Sequence, residues 1–255
     1  MSGTGRQCAL TGVWIDTAFA DGYRVAVTAY GPVNPPPRSA GSDRSGWGRF
    51  DTTGSTVYFA SSPETAFQEV LSPFAQKLGG RSSLEKDAAA LGLSLEDFLA
   101  ALGKEWDESS FMGRGSLPAQ WRVRRRLYQL RLAEPGWWVD IGHPETIAAI
   151  RRSLGEDLHA ATGCAEVTLA ELHAPNREVT TRIASWLRGL VLDDGTRALG
   201  IRYNSKFGGE CFAYWLRRRD DGLGNDSLHS VSEAAITLRT DALHTAAERL
   251  GMRCF

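Results

Sequence analysis

The sequence predicts an α+β fold in which a mixed sheet packs against surrounding helices. Segments rich in β-branched and aromatic residues, typical of strands, alternate with segments that carry helical periodicity. The two kinds of segment follow one another irregularly, which favours an α+β sheet over a doubly wound α/β sheet. No repeat with a period of about 20 to 50 residues is present, which excludes solenoids and propellers.

Composition places the chain among ordinary globular proteins. The 255 residues are 42% hydrophobic and 23% charged, so a folded domain with a real core is expected. We expect a single domain over residues 1–255. The 29 Lys and Arg residues against 30 Asp and Glu give a formal net charge of -1. That balance lacks the basic field most nucleic-acid binders need, so no direct nucleic-acid binding is expected.

Targeting and metal signals are weak in this sequence. No apolar run approaches the length of a membrane span, and the first residues do not resemble a secretory leader, so we expect a cytoplasmic protein without membrane contact. The cysteines lie far apart without a CxxC pair, and the histidines fit no metal-ligand spacing. We expect buried thiols and no metal. The cysteines are Cys8, Cys164, Cys211 and Cys254.

Periodicity assigns the individual elements. Predicted strands cover 23–30, 55–60, 122–133, 137–141, 199–203, 211–216 and 231–238. Predicted helices cover 61–71, 94–106, 144–160, 176–190 and 241–250. The composition and helical spacing of residues 76–118 predict a helical insertion that either caps a pocket or joins two copies of the chain in a homodimer. Residues 226–255 predict a C-terminal extension made of a strand and a helix.

The first predicted helix carries a candidate catalytic carboxylate. Ser61 and Glu64 fit a capping box at its start. Its apolar face contains Ala66 and Val70, one turn apart, and Glu69 falls at the edge of that face. A carboxylate in this place is partly desolvated and directed inward, although a glutamate at such an edge more often points to solvent.

Two loops carry the other candidates. Residues 41–54 are rich in glycine and contain Arg49, whose fork can bind two oxygens of a pyrophosphate or carboxylate while the glycines leave room. No Gly-Lys-Ser/Thr ends this loop, so it is not a P-loop. Ser205 is a hydroxyl at the end of a strand, before a turn that contains Gly208 and Gly209, where it also suits an ordinary turn.

These segments, in their order along the chain, resemble the RES-domain family, named for its Arg, Glu and Ser. Tyr23-Arg24-Val25 is similar to the family's opening strand, and the resemblance covers about residues 20–75 and 120–218. The segments that carry it are Gly48-Arg49-Phe50-Asp51, Val57-Tyr58-Phe59-Ala60, Thr65-Ala66-Phe67-Gln68-Glu69 and Gly200-Ile201-Arg202-Tyr203-Asn204-Ser205.

The resemblance implies an ADP-ribosyltransferase-like fold with a mixed, antiparallel split sheet. It further implies NAD as substrate rather than cofactor, and cleavage of its nicotinamide N-glycosidic bond with water or phosphate as acceptor. Relatives of this kind are toxins paired with a protein antitoxin that blocks the active site. The catalytic residues carried over are Arg49, Glu69 and Ser205.

The expected chemistry agrees with these residues. The nicotinamide ring is cationic while it is bonded to ribose and leaves as a neutral molecule. The oxocarbenium-like ribose is therefore what needs stabilising, and Glu69 suits that task. Arg49 and Arg24 suit the pyrophosphate. Ser205 suits a bond to ribose or phosphate.

The aromatic candidates are Tyr23 and Tyr58, either of which can stack on nicotinamide or adenine. Residues 57–59 alternate along a strand, so one of Tyr58 and Phe59 must pack into the core.

Two other functions stay open from the sequence. The first is transfer of ADP-ribose to a protein, which often uses a carboxylate or glutamine two positions before the catalytic glutamate, where this chain has Phe67. The second is a nucleotide-binding or interaction module without catalysis.

Overall fold

The chain forms an α+β fold around one large mixed sheet, in agreement with the predicted class. The structure is a computed structural model that describes residues 5–17, 21–75, 80–109 and 115–254. Its strands are Arg6–Gln7 (β1), Trp14–Asp16 (β2), Asp21–Val27 (β3), Thr56–Ala60 (β4), Ser116–Leu117 (β5), Arg125–Leu132 (β6), Trp138–Asp140 (β7), Gly200–Asn204 (β8), Glu210–Trp215 (β9), Leu228–Ala235 (β10) and Arg253–Cys254 (β11).

Nine of these strands build the main sheet in the order β1-β2-β7-β8-β9-β4-β3-β6-β10. The β7–β8 pair is parallel and the other neighbours are antiparallel. The remaining two strands, β5 and β11, form a separate parallel pair.

The sheet separates between β4 and β3, which are neighbours in the strand order. β3 pairs with β6 from Asp21 to Val27, but it pairs with β4 only through Tyr23 and Ala60. Across the gap, Nη1 of Arg24 donates to the carbonyl oxygen of Tyr58 at 2.8 Å. A side chain therefore satisfies a strand carbonyl where the ladder is interrupted, and space opens for a cavity.

The helices cover both the sheet and its connections. They are Pro63–Leu71 (α1), Gly80–Ala90 (α2), Leu95–Ser109 (α3), Ala119–Val123 (α4), Pro144–Thr162 (α5), Leu169–His173 (α6), Arg177–Gly189 (α7), Arg217–Asp220 (α8) and Asp241–Arg249 (α9). α1 packs against β3 and α9, and α5 packs against α7.

Hydrophobic side chains form a core on each side of the sheet. One core joins the apolar faces of the helices to the sheet, including Phe67 of α1 and Ile183 of α7. The other contains Phe59, Trp138 and Phe212, whose rings contact one another. Strand alternation sends Val57 and Phe59 into this second core and Tyr58 to the opposite face, so Phe59 is the core aromatic of the pair.

Several predicted boundaries need correction. The strand predicted over 23–30 ends at Val27, and the one predicted over 122–133 begins at Arg125 because α4 precedes it. The strand predicted over 231–238 is shifted to Leu228–Ala235.

The prediction of buried thiols is correct for two of the four cysteines. Cys8 and Cys211 are buried, whereas Cys164 and Cys254 are partly exposed.

The described parts of the predicted insertion and of the predicted C-terminal extension contain helices, and the extension also adds a strand to the main sheet. The insertion predicted over 76–118 extends into residues 76–79 and 110–114, which lie outside the described residues. Its described part contains α2, which the sequence reading missed, and α3, which Ser94 caps by accepting from the Asp97 amide at 3.1 Å. The C-terminal extension adds β10 to the main sheet and packs α9 on α1.

The cap of α1 lies one residue later than predicted. Ser62, not Ser61, is the N-cap: its Oγ accepts from the Thr65 amide at 3.2 Å, and Pro63 occupies the first turn. Ser61 is exposed, and its amide donates to the Glu210 carbonyl. The capping box of Ser61 with Glu64 is therefore wrong, because proline at the first helical position fixes the start of the helix.

This difference gives a stability prediction. Ser62→Ala is expected to lower the free energy of unfolding by about 1 kcal/mol, because an orphaned amide in the first turn of α1 loses its acceptor. Ser61→Ala is the matched control and should leave stability unchanged. Urea denaturation of the two variants checks this, and equal losses would contradict the assigned cap.

Candidate active site

A cavity of about 460 Å³ lies where β3 and β4 separate. β3, β4, α1, the glycine-rich loop and the β8–β9 turn contribute its walls, and α7 adds one side chain. Most of the residues predicted for the site line this cavity, and they are Tyr23, Arg24, Arg49, Tyr58 and Glu69. Ser205 joins them through a hydrogen bond to Glu69. The structure thus brings all six predicted residues together.

The predicted helical face forms one wall. Ala66, Glu69, Val70 and Pro73 all line the cavity, as the spacing of i, i+3, i+4 and i+7 requires for one side of a helix. Glu69 is therefore directed into the cavity rather than out to solvent.

Glu69 is held by the hydroxyl of Ser205. Ser205 Oγ donates to Glu69 Oε1 at 2.5 Å and itself accepts from the Phe207 amide at 3.1 Å. Ser205 is 5% exposed. One carboxylate oxygen is thus fixed by a buried hydroxyl, and Ser205 orients Glu69.

Glycines allow the β8–β9 turn to lie against α1. Gly208 and Gly209 have positive φ of 88° and 87°, which favours glycine. A Cβ on Gly209 would lie 2.2 Å from Oγ1 of Thr65 in α1. Larger residues would push the turn away from the helix and separate Ser205 from Glu69.

Arg49 lies among rings. Its guanidinium carbon is 5.7 Å from the centre of the Tyr203 ring and 5.9 Å from that of the Phe50 ring. Its Nη1 lies 3.5 Å from Nδ1 of His173, and its Nε is buried without a hydrogen-bond partner among the described residues. These neighbours orient the guanidinium, and none of them carries a negative charge that would neutralise it.

Arg24 supplies a second positive charge in the cavity. Burial lowers the pKa of its guanidinium to about 10, while the nearby Tyr58 and Asp51 partly oppose the shift. A group with this pKa remains protonated at neutral pH. Arg24 therefore carries its charge where β3 and β4 separate.

Tyr58 faces the cavity but uses its hydroxyl to hold the glycine-rich loop. Its oxygen accepts from the Phe50 amide at 2.8 Å, and a Cβ on Gly48 would lie 2.6 Å from it. Burial, together with the Asp51 carboxylate, raises the pKa of Tyr58 well above its usual value. The phenol stays protonated and anchors the loop that carries Arg49.

The structure adds cavity residues that sequence reasoning did not single out. Tyr203 lies in β8, two positions before Ser205, which directly follows the strand, and this spacing of two was the available signal. Arg177 and Lys206 also line the cavity, and neither of them was predicted as a site residue.

The charges of the cavity define what it can bind. Among the described residues that line it, Arg24, Arg49, Arg177 and Lys206 are basic and Glu69 is the one carboxylate. Such a site suits an anionic ligand and places a single carboxylate beside it. The molecule is an α+β protein with a cationic cleft and one oriented carboxylate.

Comparison with known proteins gives one weak likeness. No family model and no curated protein matches the sequence. A chain from the crystal structure of the M. tuberculosis MbcT–MbcA toxin–antitoxin complex is similar at a TM-score of 0.42 and 13% identity, covering 91% of this chain and 88% of that chain.

Two further findings concern the described residues. None of the helices in this part of the chain has both the length and the apolar composition that crossing a membrane requires. Within the same residues, no three His, Cys, Asp or Glu side chains gather in a way that could hold a metal ion.

Proposed function

We propose that this chain is an NAD-consuming enzyme that cleaves the nicotinamide N-glycosidic bond with water or phosphate as acceptor. The observation that carries the proposal is Glu69, fixed by Ser205 in a cavity that also contains Arg24 and Arg49. The resemblance of these segments to the RES-domain family supports the same function.

Glu69 would act on the ribose. As the bond between ribose C1′ and the nicotinamide nitrogen breaks, its electron pair leaves with nicotinamide and positive charge develops on the ribose. Ser205 Oγ donates a hydrogen bond to Oε1 of Glu69. The carboxylate stabilises the developing charge or accepts a hydrogen bond from a ribose hydroxyl. The acceptor then bonds to C1′; when the acceptor is water, it loses a proton to solvent.

The arginines would hold the pyrophosphate. Arg49 lies beside rings and an imidazole rather than beside a carboxylate partner among the described residues, so its charge remains available to an anion. Arg24, which also lines the cavity, adds a second cation. Tyr23, which lines the cavity, supplies an aromatic surface for a base, whereas the hydroxyl of Tyr58 is engaged by the loop.

Small acceptors are favoured over a protein acceptor by Phe67. This residue stands two positions before Glu69, where protein-modifying transferases often carry a polar group, and it is fully buried in the core. It offers no hydrogen-bonding group to an acceptor side chain. We further propose a protein antitoxin as partner, on the basis of the family resemblance.

The test is to incubate the purified protein with NAD, with and without phosphate, and to identify products by chromatography and mass. The proposal predicts nicotinamide together with ADP-ribose or its phosphate adduct. In a parallel reaction with cell lysate and labelled NAD, a labelled protein band would instead support transfer to protein. Binding of NAD by folded protein without any product would contradict the enzyme proposal and favour a binding module.

A further inference from the structure

We propose that His173 positions Arg49 for binding an anionic group of the substrate. His173 would act through Arg49 without touching the substrate. The proposal rests on the proposed function only in that it assigns the pyrophosphate to Arg49.

The contacts of Arg49 carry this inference. Its guanidinium lies over the ring of Tyr203, near that of Phe50, and its Nη1 is 3.5 Å from Nδ1 of His173. Ring faces attract the cation but leave it free to rotate in their plane, whereas the imidazole nitrogen is a directional acceptor. Among its described neighbours, His173 thus fixes which edge of the Arg49 guanidinium faces the cavity.

His173 is tied to the same loop by its own surroundings. It ends α6, and the short turn after it leads to Arg177 at the start of α7. Arg177 Nε donates to the Trp47 carbonyl at 3.1 Å, and its Nη1 donates to the Ala174 carbonyl at 3.4 Å. One arginine therefore joins the residue after His173 to the loop two residues before Arg49. The imidazole and the guanidinium are held at a fixed separation.

The contact requires a neutral imidazole. Nδ1 can accept from Arg49 only with the ring proton on Nε2. Burial lowers the pKa of His173, and the charges of Arg49 and Lys206 lower it further, while Glu69 opposes them. The ring is therefore neutral at neutral pH. Because its pKa is lowered, the ring takes up a proton only at a pH below its ordinary value of 6.5, and that protonation removes the acceptor and places a like charge beside Arg49.

The experiment compares His173→Leu and His173→Asn with the wild type. Asparagine retains a neutral acceptor, whereas leucine does not. His229→Asn, on the exposed strand β10, is the control for replacing a histidine. Two readouts are measured across about pH 4.5 to 8: the affinity for ADP-ribose by titration calorimetry, and kcat and KM for nicotinamide release. Circular dichroism checks that each variant folds.

We expect His173→Leu to weaken ADP-ribose binding and raise KM about tenfold, with kcat changed less than about twofold, because one hydrogen bond to a charged group is lost. His173→Asn should stay within about twofold of the wild type. Because the pKa of His173 is lowered, the wild-type KM should stay level near pH 6.5 and rise only at lower pH, whereas the KM of His173→Asn should not rise.

Two results would overturn the positioning role. One is unchanged ADP-ribose affinity in His173→Leu. The other is a wild-type KM that falls in acid, which would mean that the imidazolium binds the anion directly. Failure of the proposed function looks different: the wild type would bind ADP-ribose, with the expected effect of His173→Leu, but release no nicotinamide. Absence of ADP-ribose binding by the wild type would overturn both.

Discussion

Replacing Glu69 with glutamine is expected to slow nicotinamide release from NAD by about 100- to 1000-fold. Glutamine has nearly the same shape and can still accept from Ser205 Oγ, so the wall of the cavity is retained. It carries no negative charge, so the developing positive charge on the ribose loses its stabilising partner. Because the ground-state contacts are kept, the loss should appear in kcat far more than in KM.

Glu64→Gln is the matched control for this variant. Glu64 lies on the same helix, in its first turn, and does not line the cavity. Its replacement should leave the rate of nicotinamide release within about twofold, since a surface substitution has little effect on a distant site. Nicotinamide release by Glu69→Gln at the wild-type rate would contradict the role given to Glu69.

Arg49→Ala is expected to weaken ADP-ribose binding by about 10- to 100-fold, the loss for removing a charged hydrogen-bond donor. Titration calorimetry measures this directly and needs no turnover. Arg49→Lys should recover only part of the affinity, because an ammonium is a point charge without the planar fork that binds two oxygens.

Arg124→Ala serves as the control for Arg49→Ala. Arg124 is an exposed residue between α4 and β6 and is not part of the cavity, so its loss changes the net charge equally without altering the site. Equal weakening in both variants would mean that ADP-ribose responds to the overall charge of the protein, and it would contradict a specific contact to Arg49.

Local patterns were enough to predict most of the sheet and the candidate carboxylate. Alternation located β3 and β6, β-branched and aromatic content located β4, and helical spacing placed Glu69 on the face of α1 that lines the cavity. These predictions depend only on residues within a few positions of one another. The same locality explains the misplaced cap, since Ser61 and Ser62 are both good caps and only Pro63 distinguishes them.

Residues brought in from distant segments could not be predicted in this way. His173 reaches Arg49 across 124 positions, and nothing around either residue signals the contact. Arg177 joins Trp47 across 130 positions through a backbone carbonyl, which leaves no trace in residue type. The pairing of β5 with β11 likewise involves two-residue strands that are too short to show alternation.

The most direct measurement of the central claim is a crystal structure of the Glu69→Gln variant with NAD, which this variant should bind without rapid cleavage. The account predicts C1′ of the nicotinamide ribose beside residue 69 and the pyrophosphate within hydrogen-bond distance of Arg49. NAD bound elsewhere on the protein, with residues 49 and 69 not contacting it, would contradict the account.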